Sequence, residues 1–204
     1  MSEAGSEREC LIRALEGDER AQRDLYETYH GPAFRLAYLL LHHKLDVEEV
    51  VQDAFVYAFR NIGHYDPGRG SFWTWLRVIL VSRCRNKRRR KRLRQVSWEV
   101  LVATCRAPAD ASPISDPAKA LERVETRHLM WKALEQVSAG ARDALVLRYY
   151  EGMAYAEIAD ALGCSSDAAR SRVVHGKKQL RRLLTEPQTG LTRELGATRP
   201  AGAR

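Results

Sequence analysis

Long apolar runs are missing from this chain of 204 residues, and so is any close pairing of cysteines. The longest apolar stretches, such as AYLLL and VILV, are far too short to span a bilayer, so no membrane insertion is expected. The opening MSEAGSEREC is acidic without an apolar core, which predicts no signal peptide. Cys10, Cys84, Cys105 and Cys164 stand apart with no C-x-x-C motif. That usage fits a reduced, cytoplasmic chain rather than a disulfide scaffold. The adjacent His42 and His43 would diverge on a helix, so no metal site is expected there. Nuclease-like carboxylate clusters are lacking, as is the H-x-E with P-C-x-x-C of zinc deaminases. The chain is therefore read as no enzyme, with no catalytic residue, cofactor or small-molecule substrate. No internal repeat and no convincing strand can be found.

What is present is enough apolar material for a core, at 45%, and a net charge of +8 that is unevenly spread. Residues 1–82 are net acidic, with 9 basic and 13 acidic side chains. Residues 83–94 hold nine basic side chains and no acidic one. A charge excess gathered in one place is the footprint of a polyanion site.

Apolar spacing predicts an all-α chain of two small helical domains joined by a flexible linker. The expected divisions are an acidic segment 1–20, a helical domain 21–94, a linker 95–118, a second helical domain 119–186 and a disordered tail 187–204. Leu25, Tyr29, Phe34, Tyr38 and Leu41 share a helical face, with a kink or break expected at Gly31-Pro32. In DVEEVVQDAFVYAFR, Asp46 and Glu49 resemble a capping box, and Val47, Val50, Val51, Ala54, Phe55 and Ala58 form the buried stripe. Glu48, Glu49, Gln52 and Asp53 lie largely away from it. NIGHYDPGRGS is a loop of turn residues whose Ser71 is placed to cap the next helix. Beyond the linker, Asp116-Pro117 restarts helix, with Leu121, Val124, His128, Trp131 and Leu134 as its stripe.

Near the C-terminus, YAEIADALGCSSDAARSRVVHGKKQLRRLL has the pattern of a helix-turn-helix. Gly163 allows the tight turn, Ser165 or Ser166 caps the second helix, and Ala169, Val173 and Leu180 point inward. Its surface offers Arg170, Ser171, Arg172, His175, Lys177, Lys178, Arg181 and Arg182. Gly176 breaks the local rule, costing about 1 kcal/mol relative to alanine in a helix interior. Either a bend or a close backbone approach would account for it.

The stretch FWTWLRVILVSRCRNKRRRKR runs from an aromatic start into dense positive charge without Gly or Pro. Phe72, Trp75, Leu76 and Ile79 share a face that should enter the core, while Trp73, Val78 and Val81 fall elsewhere. An exposed ring beside a basic block suits single-stranded nucleic acid, where bases stack and arginines follow phosphates.

These two blocks, DVEEVVQDAFVYAFRNIGHYDPGRGSFWTWLRVILVSRCRNKRRR and ALEQVSAGARDALVLRYYEGMAYAEIADALGCSSDAARSRVVHGKKQLRRLL, resemble the extracytoplasmic-function group of bacterial RNA polymerase sigma factors. With the helix from Ala21 to Leu41, the resemblance covers roughly residues 20–186. It implies a factor that directs core RNA polymerase to specific promoters and promotes DNA melting at initiation. Polymerase binding would fall on Glu48, Glu49, Gln52 and Asp53. Melting and capture of the minus-ten strand would fall on His64, Tyr65, Trp73, Arg77, Arg83, Arg85, Asn86, Lys87 and Arg88. Duplex reading of the minus-thirty-five element would fall on Ser166, Arg170, Ser171, Arg172, Val174, His175 and Lys178. Core polymerase, promoter DNA as duplex and melted strand, and an anti-sigma factor are the implied partners. The chain departs from the family's usual run at Leu80, Val81 and Ser82, and in the recognition helix at Ala169, His175 and Gly176.

The rival reading is a stand-alone helix-turn-helix regulator that binds duplex DNA as a dimer. It explains the basic patch but gives no task to the polar face around Glu49 or to the Trp-bearing helix. Dependence on core polymerase separates the two.

Overall fold

The computed structural model describes residues 3–95 and 129–185, with side chains from residue 9 to 91 in the first stretch. The chain divides into two compact units, Met1–Cys105 and Arg106–Arg204. The linker 95–118, the restart at Asp116-Pro117, the positions Leu121, Val124 and His128, and the tail 187–204 lie outside the described residues almost entirely.

In the first unit, α1 (Glu3–Leu15), α2 (Glu19–Leu41), α3 (Lys44–Arg60) and α4 (Phe72–Gln95) are joined by short connections. The acidic start is thus helical. Leu11 and Ala14, spaced i, i+3, are buried against α2, too narrow a stripe to stand out in the sequence. Asp18 ends the connection by capping α2, its Oδ1 accepting from the N–H groups of Arg20 (2.8 Å) and Ala21 (3.3 Å). Its other oxygen takes the Arg13 Nε at 2.9 Å. The Arg13 hydrogen bond, and then the capping N–H of Arg20, hold the Asp18 carboxyl below the usual carboxylate range.

No division occurs at Gly31-Pro32, because α2 continues through Pro32. Proline removes the N–H that would meet the Thr28 carbonyl and costs about 3 kcal/mol in a helix interior. Leu25 precedes it and Ala33, Leu36, Ala37 and Leu40 follow it into the same core, which keeps both halves in one helix. Fully burying a single leucine is worth roughly 1.5–3 kcal/mol, so several outweigh one proline. The joint to α3 is made by two histidines. His42 closes α2 in the left-handed region (φ 58°), and His43 caps α3, its Nδ1 accepting from the Asp46 N–H at 3.4 Å. Asp46 therefore stands in the first turn, and is not the cap that its spacing to Glu49 predicts. The predicted stripe of α3, from Val47 to Ala58, is buried throughout.

Ser71 caps α4 as predicted, its Oγ accepting from the Thr74 N–H at 3.3 Å. Phe72, Leu76, Leu80, Val81 and Cys84 are fully buried, whereas Trp75 and Ile79 are only half-buried. Val81 was expected off the core face. It is buried because α4 packs on α2 and α3 together, so its apolar sector is wider than one stripe.

In the second unit the described helices are α5 (within 129–136), α6 (Ala139–Tyr149), α7 (Tyr155–Leu162) and α8 (Ser166–Thr185). Trp131 and Leu134 are half-buried, and Ala133 and Val137 take the fully buried places beside them. Helix α6 is buried from Ala141 to Leu147, on all sides, and α8 lies closely across it. At Gly176 a Cβ would meet Leu145 Cδ1 at 2.7 Å, Leu145 Cγ at 2.9 Å and the Ala141 carbonyl oxygen at 3.2 Å. Close backbone approach, not a bend, is what the glycine serves. Among the described residues there is no strand.

Candidate nucleic-acid and partner interfaces

In the first unit the loop before α4 is held by its own aromatic residues. Tyr65 is buried and donates from Oη to the Gly70 carbonyl at 3.0 Å. Its ring meets Phe72 at 5.8 Å and Trp75 at 5.7 Å between centroids. Asp66 Oδ1 accepts from the Gly68 N–H at 2.8 Å, closing a short turn. The Gly70 φ of 143° suits glycine at the approach to Ser71. His64 is left at the surface. Trp73 is half-buried, with its ring stacked on Tyr29 at 6.0 Å and 6° between planes. The predicted minus-ten positions thus separate: His64 is open, Trp73 is partly open on an aromatic support, and Tyr65 is inside.

The basic half of α4 separates in the same way. Arg77 is buried, so the structure does not present it at the surface where the sequence predicts it. Its position on α4 lies between Phe72 and Val81, along the sector that packs inward. Arg83 lies over the Tyr57 ring at 4.5 Å, and Arg88 donates from Nη1 to the Leu40 carbonyl at 3.0 Å. Lys87 is bound by Glu49 and stands 3.7 Å from Asp46, while Lys91 donates to Asp46 Oδ2 at 2.7 Å. Asp46 and Glu49 of α3 therefore hold two lysines of α4 across the helix pair. Asn86 is half-buried, and Arg85, Arg89 and Arg90 face outward. A run of like charge in sequence has become a structural brace on one side and an exposed arginine row on the other. Of the polar positions on α3, Glu48 lies 3.7 Å from Lys44, and Glu48, Glu49, Gln52 and Asp53 are all exposed.

In the second unit the helix-turn-helix is built from short-range bonds. Glu157 accepts from the Ala154 N–H at 2.7 Å to open α7, and Gly163 closes it in the left-handed region (φ 57°). Ser165 Oγ accepts from the Ala168 N–H at 3.2 Å, so Ser165 rather than Ser166 caps α8. Ala169, Val173, Gly176 and Leu183 face inward, while Leu180 is half-buried. Ser166, Arg170, Ser171, Val174, His175 and Lys178 are exposed, and Val174 keeps 60% of its surface open. An apolar side chain so open on a basic helix is suited to contact with a thymine methyl. Arg172 instead turns back, donating from Nη1 to Cys164 Sγ at 3.4 Å. His175 lies 3.2 Å from Gln179, whose Oε1 accepts from the Ser138 N–H at 3.2 Å, which ties α8 to the start of α6.

Asp46 as a brace, and also Gln179, Arg148 and Tyr155, carry no mark of these roles in the sequence. Asp46 acts on Lys87 and Lys91, Gln179 on Ser138 and Tyr155 on Arg170, all outside any one helix, while Arg148 reaches across a turn to Met153, so no helical spacing marks them. Each unit offers a surface for a polyanion, and the first unit adds an acidic face on α3.

Comparison with known proteins points the same way. The family description "Sigma-70 region 2" matches residues 25–94, and "Sigma-70, region 4" matches residues 127–180. The chain is 26% identical over 194 residues to the RNA polymerase sigma-H factor of Pseudomonas aeruginosa, covering 87% of this chain and 93% of that one. It is 27% identical over 183 residues to the ECF RNA polymerase sigma-E factor of Escherichia coli K12, covering 88% and 95%. Among solved structures it is similar to CnrH in complex with the cytosolic domain of CnrY, at 25% identity and a TM-score of 0.57, covering 87% and 96%. The fold of the sigma factor RpoE from Bartonella quintana, solved in complex with the anti-sigma factor NepR, matches with a TM-score of 0.63 at 20% identity, covering 81% and 98%.

Proposed function

Because the chain belongs to the extracytoplasmic-function group of bacterial RNA polymerase sigma factors, we propose a division of labour between the surfaces of its two units. As a sigma factor it directs core RNA polymerase to promoters and acts in transcription initiation. The outward face of α3, with Glu48, Glu49, Gln52 and Asp53, binds the polymerase. The loop from 61 to 71 and the start of α4 engage the melted minus-ten strand through His64 and Trp73, and Arg85, Arg89 and Arg90 follow its phosphates. Tyr65 and Arg77, both buried, shape that surface from within. Helix α8 enters the major groove of the minus-thirty-five element with Ser166, Arg170, Ser171, Val174, His175 and Lys178.

The observation that carries this reading over a stand-alone regulator is the exposed acidic face of α3, set one helix away from an aromatic and basic one. A duplex-binding dimer has no use for it, and negative charge there repels DNA. The chemistry of RNA synthesis then belongs to the polymerase, and this chain works by binding alone, in the cytoplasm. No described helix is long and apolar enough to cross a membrane. An anti-sigma factor that covers the polymerase-binding surfaces completes the set of partners. Retention of genomic fragments by the purified chain, with and without core polymerase, tests the proposal. Specific fragments should be held only when core polymerase is present. Equal selection by the chain alone would favour the regulator.

A further inference from the structure

The helix-turn-helix carries an aromatic ring that minus-thirty-five reading leaves without a task. Tyr155 opens α7 and is half-buried. Two guanidinium groups lie over its ring, Arg148 at 4.8 Å and Arg170 at 5.1 Å from the centroid. The three residues come from α6, α7 and α8, one from each. Arg148 is itself fixed, donating from Nη1 to the Met153 carbonyl at 2.7 Å, which ties the end of α6 to the turn before α7. Arg170 is the outer member, on the exposed face of α8.

An arginine on an open helix surface samples many rotamers, yet it reads a guanine edge only with its planar fork in one orientation. Ordering that side chain on binding weakens affinity, and ordering it beforehand removes part of the loss. A ring beneath the guanidinium is a means of ordering it, because the ring face attracts the cation wherever the contact is kept.

We infer that Tyr155 is a positioning residue for minus-thirty-five recognition, its ring holding the Arg170 guanidinium ready for base reading while Arg148 braces the ring. The inference rests on the role proposed above for Arg170. It assigns α7 a part in sequence preference and not only in packing.

The test uses the full chain assembled with bacterial core RNA polymerase and a library of promoter-length duplexes, from which bound sequences are selected. The forms compared are the natural chain, Arg170→Ala, Tyr155→Leu and Tyr155→Phe. An exposed cation–π contact corresponds to roughly a two- to five-fold change. Tyr155→Leu should lose that much preference at the base position which Arg170→Ala flattens, and leave the other positions unchanged. Tyr155→Phe should keep the natural profile, since the ring and not the hydroxyl makes the contact. A uniform fall in affinity with base preferences intact would overturn the inference, as would equal damage from Tyr155→Phe and Tyr155→Leu. If Arg170→Ala flattens no position, the base-reading role of Arg170 fails and takes the inference with it, an outcome visible in that arm alone. Tyr155→Gln, suited to a half-exposed helix start, serves the same comparison should Tyr155→Leu not fold.

Discussion

Replacing Gly176 with alanine should destabilise the second unit, although the same change favours a free helix. Intrinsic propensity gains about 1 kcal/mol when glycine becomes alanine in a helix interior. Against this, the new Cβ lands 2.7 Å from Leu145 Cδ1, 2.9 Å from Leu145 Cγ and 3.2 Å from the Ala141 carbonyl oxygen. Leu145 is only 4% exposed and so has little space to yield, and the carbonyl belongs to the backbone of α6. Overpacking of this kind costs typically about 1–3 kcal/mol, which leaves a net loss of up to about 2 kcal/mol. For a domain of this size each 1 kcal/mol moves the midpoint by roughly 4–8 °C. Differential scanning calorimetry of the full chain, with hydrogen exchange assigning each transition to its unit, reads the effect. The transition of the second unit should fall by several degrees and that of the first should stay in place. A rise for Gly176→Ala would refute the argument, because propensity would then outweigh the contact between α6 and α8.

Three further outcomes follow from the bonds described. Asp46→Asn should release Lys91, with Lys87 still held by Glu49, and steepen the salt dependence of nonspecific DNA binding by up to about one in log–log slope, whereas an unchanged slope would mean that Lys91 already reaches phosphate. Tyr65→Phe removes the hydrogen bond to the Gly70 carbonyl, worth about 0.5–1.5 kcal/mol, and should raise hydrogen exchange between residues 66 and 71 without affecting α2. For Asp18, whose carboxyl titrates below its ordinary 3.8, the stabilisation is present above that ordinary value and is lost as pH falls through the depressed one. The stability gap between the natural chain and Asp18→Asn should therefore be constant near neutral pH and close in acid, and a gap that widens in acid would contradict the Arg13 pairing.

Much of the fold is legible in the sequence because short-range signals decide it. The apolar stripe of α3, the Ser71 cap and the Gly163 turn depend on residues within one or two turns of each other, and they stand where expected. Features that depend on which helix lies across another are not legible. The block 83–92 reads as one basic patch, since nothing in it reveals that Asp46 and Glu49, some forty residues earlier, take Lys87 and Lys91. Val81 is misplaced for the same reason, because a single stripe is assumed for a helix that packs on two neighbours. Gly176 announces an exception without its cause, which lies on α6 at Ala141 and Leu145. At Pro32 the local rule is correct about the cost, and the shared core outweighs it.

The chain is a transcription initiation factor, and in the division of labour proposed above its α3 face binds polymerase. Titrating the purified full-length chain against bacterial core RNA polymerase, with no DNA present, tests it most directly. Tight one-to-one binding is predicted, weakened by charge reversal at Gln52's neighbour Asp53. Absence of binding, together with sequence-specific duplex binding by the chain alone, would contradict the account.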